Sequence, residues 1–221
     1  MKKNTLQEKG LKLEGKRVFT RCPWGDAPIY DERIFADSDG VWREWNPYRS
    51  KLAAYILKGG EHFPFSRSTT LLYLGVAQGT TASHISDICT EGRIYGVEIS
   101  PEAIRKFLKL AERRENLYPV LADASRPELY ADIVPPGVDV IYQDIAQRTQ
   151  VEILIKNAEL FLKGGGYAFL MLKARSVDVA APPDKIYADV RRKLVEVFEV
   201  LQERSLKPYQ KDHRVFVLRY R

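Results

Sequence analysis

The sequence predicts an α/β fold in which a largely parallel sheet carries helices on both faces, preceded by a small N-terminal β-rich domain. Three observations carry that expectation. From residue 69 onward, short apolar runs alternate with stretches of helical period, a rhythm that builds a sheet through right-handed crossovers. The first of those runs, "TTLLYLG", is continuously apolar, as a strand buried on both faces must be. Residues 1–50, by contrast, are aromatic and turn-rich, with "WGD" and "DSDG" marking tight turns between short antiparallel strands. The boundary is therefore placed at residue 50, and residues 51–221 form the main domain.

"NPYRSKLAAYILKGG" leads into the main domain as a short helix. Asn46 is expected as its N-cap and Pro47 at its first position, with Leu52 and Ile56 one turn apart and Gly59 and Gly60 as a stop. The helix after "TTLLYLG" carries His84, expected to pack behind the glycine-rich turn. "RIYGVEIS" is the second strand. The helix that follows has Ser100 as cap, Pro101 in its first turn, and Ala103, Ile104, Phe107, Leu108 and Ala111 on one face. "LYPVLAD" and "VDVIYQD" are strands that each end in aspartate. Val151, Leu154, Ile155, Ala158, Phe161 and Leu162 form another helical stripe before a fifth strand, "GGGYAFLMLK". "PDKIYADVRRKLVEVFEVL" reads as one last helix and "RVFVLRYR" as a terminal hairpin strand.

With 221 residues, 45% of them hydrophobic, the chain can bury a full core. "MKKNTLQEKG" lacks the apolar region of a secretory leader, and no run approaches the ~18 apolar residues that span a bilayer, so a soluble intracellular protein is expected. Cys22 and Cys89 have no second thiol or histidine at ligand spacing, which argues against a disulfide framework or a zinc site. Lys plus Arg total 35 against 29 Asp plus Glu, and this net charge of +6 suits a polyanionic partner such as nucleic acid.

In such sheets ligands bind beyond the carboxyl ends of the strands, where strand order reverses. "LLYLGVAQGTTASHI" lies at that place. Gly75, Ala77 and Gly79 allow a sharp turn and a close approach to a ligand, while Thr80 and Thr81 offer hydroxyls and amides near a helix start. A tight strand-to-helix turn without a ligand would read the same way. Glu98 ends the second strand, where an acid accepts hydrogen bonds from ribose hydroxyls, and Asp123 and Asp144 close the next two strands. Crowded acids repel phosphate and favour a cation, so a dinucleotide fits less well than a nucleoside with a positive centre. S-adenosyl-L-methionine, with its sulfonium, is such a molecule.

The blocks "YLGVAQGTTASHISDI", "GRIYGVEIS", "PVLADA", "VDVIYQDIAQ", "FLKGGGYAFLMLKA" and "PYQKDHRVFV" resemble the fibrillarin family of box C/D RNA-guided 2′-O-methyltransferases, over about residues 41–220. Gln78 stands where the family usually has serine, and "YQD" replaces a smaller residue before the aspartate. The resemblance implies a Rossmann-like class I methyltransferase sheet. It implies that Thr80 and Thr81 contact the methionine end of S-adenosyl-L-methionine, Glu98 the ribose, Asp123 and Ala124 the adenine, and Asp144, Ile145, Ala146 and Gln147 the sulfonium side, with Ile99 also in the cofactor site. It also implies a ribonucleoprotein containing a box C/D guide RNA, target rRNA or tRNA, a Nop-type scaffold protein and a kink-turn-binding, ribosomal-protein-like subunit. The glycine/arginine-rich tail of eukaryotic members is not present, so an archaeal-type, cytoplasmic protein is expected.

Methyl transfer to oxygen is an in-line displacement, so an enzyme must align donor and acceptor and manage one proton. Lys51, Asp144, Lys173 and His213 look like the family's K-D-K-H set. Lys173 is expected as the base or its electrostatic helper, with Asp144 holding it in register, and His213 is expected to enter from the other side of the sheet. Read singly, each is more ordinary: a strand-end lysine is usually a solvated charge. The competing expectations are a methyltransferase acting on a protein glutamine, a structural ribonucleoprotein subunit with a vestigial pocket, and, more remotely, a dehydrogenase.

Overall fold

The computed structural model describes residues 8–25 and 27–221. The leader question at residues 1–7 and Asp26 of the W-G-D turn lie outside the described residues. Four short strands, β1 (Leu11–Glu14), β2 (Arg17–Arg21), β3 (Ile34–Asp37) and β4 (Gly40–Glu44), form an antiparallel sheet in the order β1-β2-β4-β3.

The first helix, α1 (Lys51–Leu57), starts later than its sequence suggests. Asn46 caps a separate turn, its side chain accepting from the Tyr48 amide, and Ser50 is the N-cap of the helix, accepting from the Ala53 amide. The far end is as expected: Gly59 takes a φ of 77°, and the Gly59 and Gly60 amides bond the carbonyls of Ile56 and Tyr55, a Schellman closure.

Seven strands make the main sheet: β5 (Thr70–Leu74), β6 (Arg93–Glu98), β7 (Leu117–Leu121), β8 (Val138–Gln143), β9 (Leu162–Lys173), β10 (Phe198–Ser205) and β11 (His213–Tyr220). Their order is β10-β11-β9-β8-β5-β6-β7, parallel from β9 to β7 and antiparallel at β11 and β10. The chain leaves β5 for β6 on one side and later places β8 on the other. The switch point therefore lies at the carboxyl ends of β5 and β8.

Helices α2 (Thr80–Ile88), α3 (Pro101–Ala111), α4 (Gln150–Phe161), the single turn α5 (Ala174–Val177) and α6 (Pro183–Leu194) connect these strands. On α3 the buried residues are Ile104, Phe107 and Leu110, whereas Leu108, expected on the apolar face, is 50% exposed. The last helix is shorter than expected. It ends at Leu194, with Arg191, Arg192 and Lys193 in its final turn where cations suit the helix dipole, and "FEVLQERS" is the edge strand β10. Two apolar clusters lie on the two faces of the sheet, and the first also takes in Leu11, Val18 and Trp45 of the N-terminal segment.

Candidate functional site

The loops after β5, β6 and β8 are stitched together by backbone hydrogen bonds: Gly75 N–H to Val97 C=O at 2.9 Å, and Asp144 N–H to Leu74 C=O at 3.0 Å. Gly75 has a φ of 78°, and a Cβ there would lie 2.6 Å from the Asp144 carbonyl oxygen. The bareness at Gly75 is thus set by a neighbouring loop. Gly79 caps α2 with a φ of 89°, and its added Cβ would strike Phe107 at 2.5 Å. Gly79 is buried, with Phe107 and Leu110 of α3 packed against it.

Two connected lobes open at the switch point. One, of ≈ 270 Å³, is lined by Gly75, Ala77, Glu98, Ile99, Asp123 and Ala124, and by the run Asp144, Ile145, Ala146 and Gln147. Its charged side chains are all carboxylates. Glu98 is held by two amides: its carboxylate accepts from Ala77 N–H and Ser100 N–H, each at 2.9 Å, and Ala77 adopts a φ of 51°. Two oxygens offer about four lone-pair sites, so acceptor capacity for vicinal hydroxyls remains. Asp123 accepts from Ser125 N–H at 2.8 Å, which fixes its turn. Ile99, 58% exposed, offers a flat apolar surface beside Glu98.

The other lobe, of ≈ 490 Å³, shares Gly75, Ala77 and Asp144 and adds Thr80, Thr81, Lys51, Lys173 and His213. At its edge α2 begins without a side-chain cap, so the amides of its first turn have no intrahelical acceptor, the arrangement by which a helix start can hold an anion. Thr81 is not free to offer its hydroxyl: it donates to Ser50 Oγ at 2.9 Å. That bond ties α2 to the cap of α1 and so places Lys51.

Lys51 donates to Asp144 Oδ2 at 2.7 Å, with both side chains about one-fifth exposed. As the first residue of α1, Lys51 sits where the helix dipole disfavours a cation, and Asp144 offsets that. Asp144 therefore holds Lys51 and not Lys173, which has no ion-pair partner among the described residues. His213 arrives at the same sheet edge as Lys173, not from the other side. Because β11 runs antiparallel to β9, its first residue is in register with the last residue of β9. Ala174 N–H bonds Asp212 C=O at 3.2 Å and pins the two ends together. His213 Nδ1 lies 2.7 Å from the Lys211 carbonyl, which can only accept, so Nδ1 carries the proton and Nε2 is left as acceptor. Burial, and then the cations of Lys51 and Lys173, hold its pKa below the ordinary 6.5, against the upward pull of the Lys211 carbonyl and Asp144.

Sequence reasoning missed the support beneath these groups. Tyr73 lies under Asp144, fully buried and 4.6 Å from the ring of Tyr142, with its phenol held neutral first by burial and then by Asp144. Ser50 and Arg49 were also missed, since a cap displaced by four residues moves both into the site. The two cysteines are buried and free.

The family description Fibrillarin matches residues 7–221. A fibrillarin-like rRNA/tRNA 2′-O-methyltransferase of Thermococcus onnurineus is 50% identical over 192 residues, covering 86% of this chain and 84% of that relative. The crystal structure of a fibrillarin/Nop5p complex superposes with a TM-score of 0.89 at 42% identity, covering 96% of this chain and 98% of the other. Aeropyrum pernix fibrillarin with natively bound S-adenosyl-L-methionine gives 0.85 at 42% identity, covering 91% and 88%.

Proposed function

The chain belongs to the fibrillarin family, and on that premise we propose that it transfers a methyl group from S-adenosyl-L-methionine to ribose 2′-hydroxyls of rRNA and tRNA. The observation that carries this reading is the junction of the two lobes, where the Lys51–Asp144 pair, Lys173 and His213 meet a pocket whose charges are carboxylates. The cofactor fits that donor set. Glu98 suits the ribose hydroxyls, Ile99 and Asp123 the adenine, the free amides of α2 the methionine carboxylate, and Asp144 the positive side of the sulfonium. Bound there, the cofactor supplies a methyl carbon already activated for displacement.

The residues of the chain then orient and deprotonate the acceptor. Neutral His213, with Nε2 free, takes the proton of the 2′-hydroxyl. Lys173, with no carboxylate of its own, stabilises the oxygen as negative charge develops. Asp144 fixes Lys51 at the opposite lip and balances two cations in a small space. Calorimetry and turnover separate the roles. Lys173→Ala should abolish methyl transfer with cofactor affinity nearly unchanged, whereas Glu98→Ala should weaken cofactor binding by roughly tenfold or more, the loss of a charge-assisted hydrogen bond. Retained turnover in Lys173→Ala would sink the assignment.

The solved fibrillarin/Nop5p complex supports a Nop-type scaffold protein as partner. The further reading is that a box C/D guide RNA selects the target nucleotide and that a kink-turn-binding subunit completes the particle. No base-reading module is evident in the sequence, so selection by guide pairing is consistent with it.

A further inference from the structure

The catalytic lobe has a second exit. A groove of ≈ 450 Å³ opens from it past Thr80, Gln78 and Arg49 and runs along one side of α3, where Lys106, Lys109 and Arg113 line it. No carboxylate among the described residues lines this groove, in contrast to the cofactor lobe on the other side of Gly75 and Ala77, although Arg49 at its mouth is paired with Asp31 at 2.6 Å. Lys106 and Lys109 are exposed and spaced i, i+3 on α3, so they share one side of the helix, and the exposed Arg113 in the turn that follows α3 lines the same groove. Like charges at this spacing oppose one another on a helix, a cost with no return within the chain. Lys106 has a loose partner in Glu102 at 3.7 Å, and Lys109 and Arg113 have no ion-pair partner among the described residues.

We propose that this groove holds the phosphate backbone of the substrate RNA strand beside the nucleotide being methylated. The inference rests on the reading of the site as a ribose methyltransferase. A target ribose at the tetrad is flanked by phosphates on both sides, and those phosphates cannot lie along the lobe of Glu98, Asp123 and Asp144. The α3 groove is the basic path that starts at the same Thr80 and Arg49 edge. Lysines and arginines contact the backbone without reading sequence, which leaves base choice to the guide.

The test uses the assembled guided particle carrying wild-type protein, the single variant Lys109→Gln, or the triple variant Lys106→Glu, Lys109→Glu, Arg113→Glu. Affinity for a fluorescent target RNA is read by anisotropy across a salt series, beside cofactor affinity by calorimetry, scaffold binding by gel filtration, and turnover. The triple variant should bind RNA at least roughly tenfold more weakly, with a salt slope smaller by about one per cation removed. Its cofactor affinity, scaffold binding and kcat at saturating RNA should be unchanged, and Lys109→Gln should show about one unit of slope loss. Unchanged RNA affinity and slope would overturn the proposal. So would loss of scaffold binding with RNA affinity kept, which would assign the groove to the partner protein. RNA affinity is read without turnover, so a wild-type particle that fails to methylate would overturn the enzymatic reading while the variants still decide the groove.

Discussion

Asp144 and His213 divide the work of the site between them. Asp144 neutralises Lys51 at 2.7 Å and also faces the cofactor lobe, so replacing its charge disturbs both sides of the reaction. Asp144→Asn should lower kcat by roughly 10²-fold, the scale of a misplaced reacting group, as measured by methyl incorporation at saturating RNA. His213 makes a pH prediction. Its pKa is held below 6.5, so it is protonated and inactive as a base only at more acid pH. Methylation should therefore rise along an acid limb that lies below 6.5 and be flat through neutrality. His213→Gln should remove that limb and roughly 10²-fold of the rate, while a limb well above pH 7 would point to a lysine as the base. Gly75 belongs to this scale too: Gly75→Ala combines a φ of 78° with a contact at 2.6 Å, and should cost roughly 1–3 kcal/mol in chemical denaturation.

At the scale of elements, α2 is the hinge between site and scaffold. Its first turn faces the cleft and its body packs on the N-terminal sheet through buried charges. Arg43 donates to Glu32 Oε1 at 2.6 Å and Asp87 Oδ2 at 2.8 Å, and Arg114 donates to Asp87 Oδ1 at 2.7 Å. Removing one member leaves buried charge unpaired, so Arg43→Ala should cost about 3–5 kcal/mol, read as a shift in the urea midpoint. His84, fully buried, bonds Thr20 and Tyr30 and stacks on Trp45 at 4.9 Å, behind the glycine turn as its position in the sequence suggested. Burial, and then Arg43 and Arg114, hold its pKa well below 6.5. A histidine whose folded pKa is depressed gives stability that is present above the unfolded value and lost as pH falls toward the folded one. The thermal midpoint should hold from about pH 8 to about 6.5 and decline toward about pH 5, where a flat midpoint would contradict this. Elements were legible where period and caps agreed, as at Ser100–Pro101. They were not where two signals competed: Asn46–Pro47 looked like a helix start yet capped a turn, and "VEVFEVL" continued an apolar helical stripe although its branched residues extend into β10.

For the whole molecule, the fold's handling of charge matters most. The switch point places the acidic cofactor lobe, the tetrad and the basic α3 groove side by side, so around the site the acids gather in the lobe where a cation belongs. Strand-end acids and the glycine turn made the cofactor lobe legible in the sequence, because each sits at the end of its own strand. The tetrad was legible only through resemblance. Lys51, Asp144, Lys173 and His213 are brought together by a cap shift, the parallel pair β8–β9 and an antiparallel return, and their spacing in the chain encodes none of these. The Lys51–Asp144 pairing and the supporting Tyr73 and Ser50 came from the structure alone. Everything above turns on whether this set of groups methylates a ribose 2′-hydroxyl. The most direct measurement offers the assembled guided particle labelled S-adenosyl-L-methionine and two target RNAs, identical except that one carries 2′-deoxyribose at the guided nucleotide. A ribose 2′-O-methyltransferase leaves label on the ribose target and none on the deoxy target; equal labelling of both, or labelling of neither, would refute that activity.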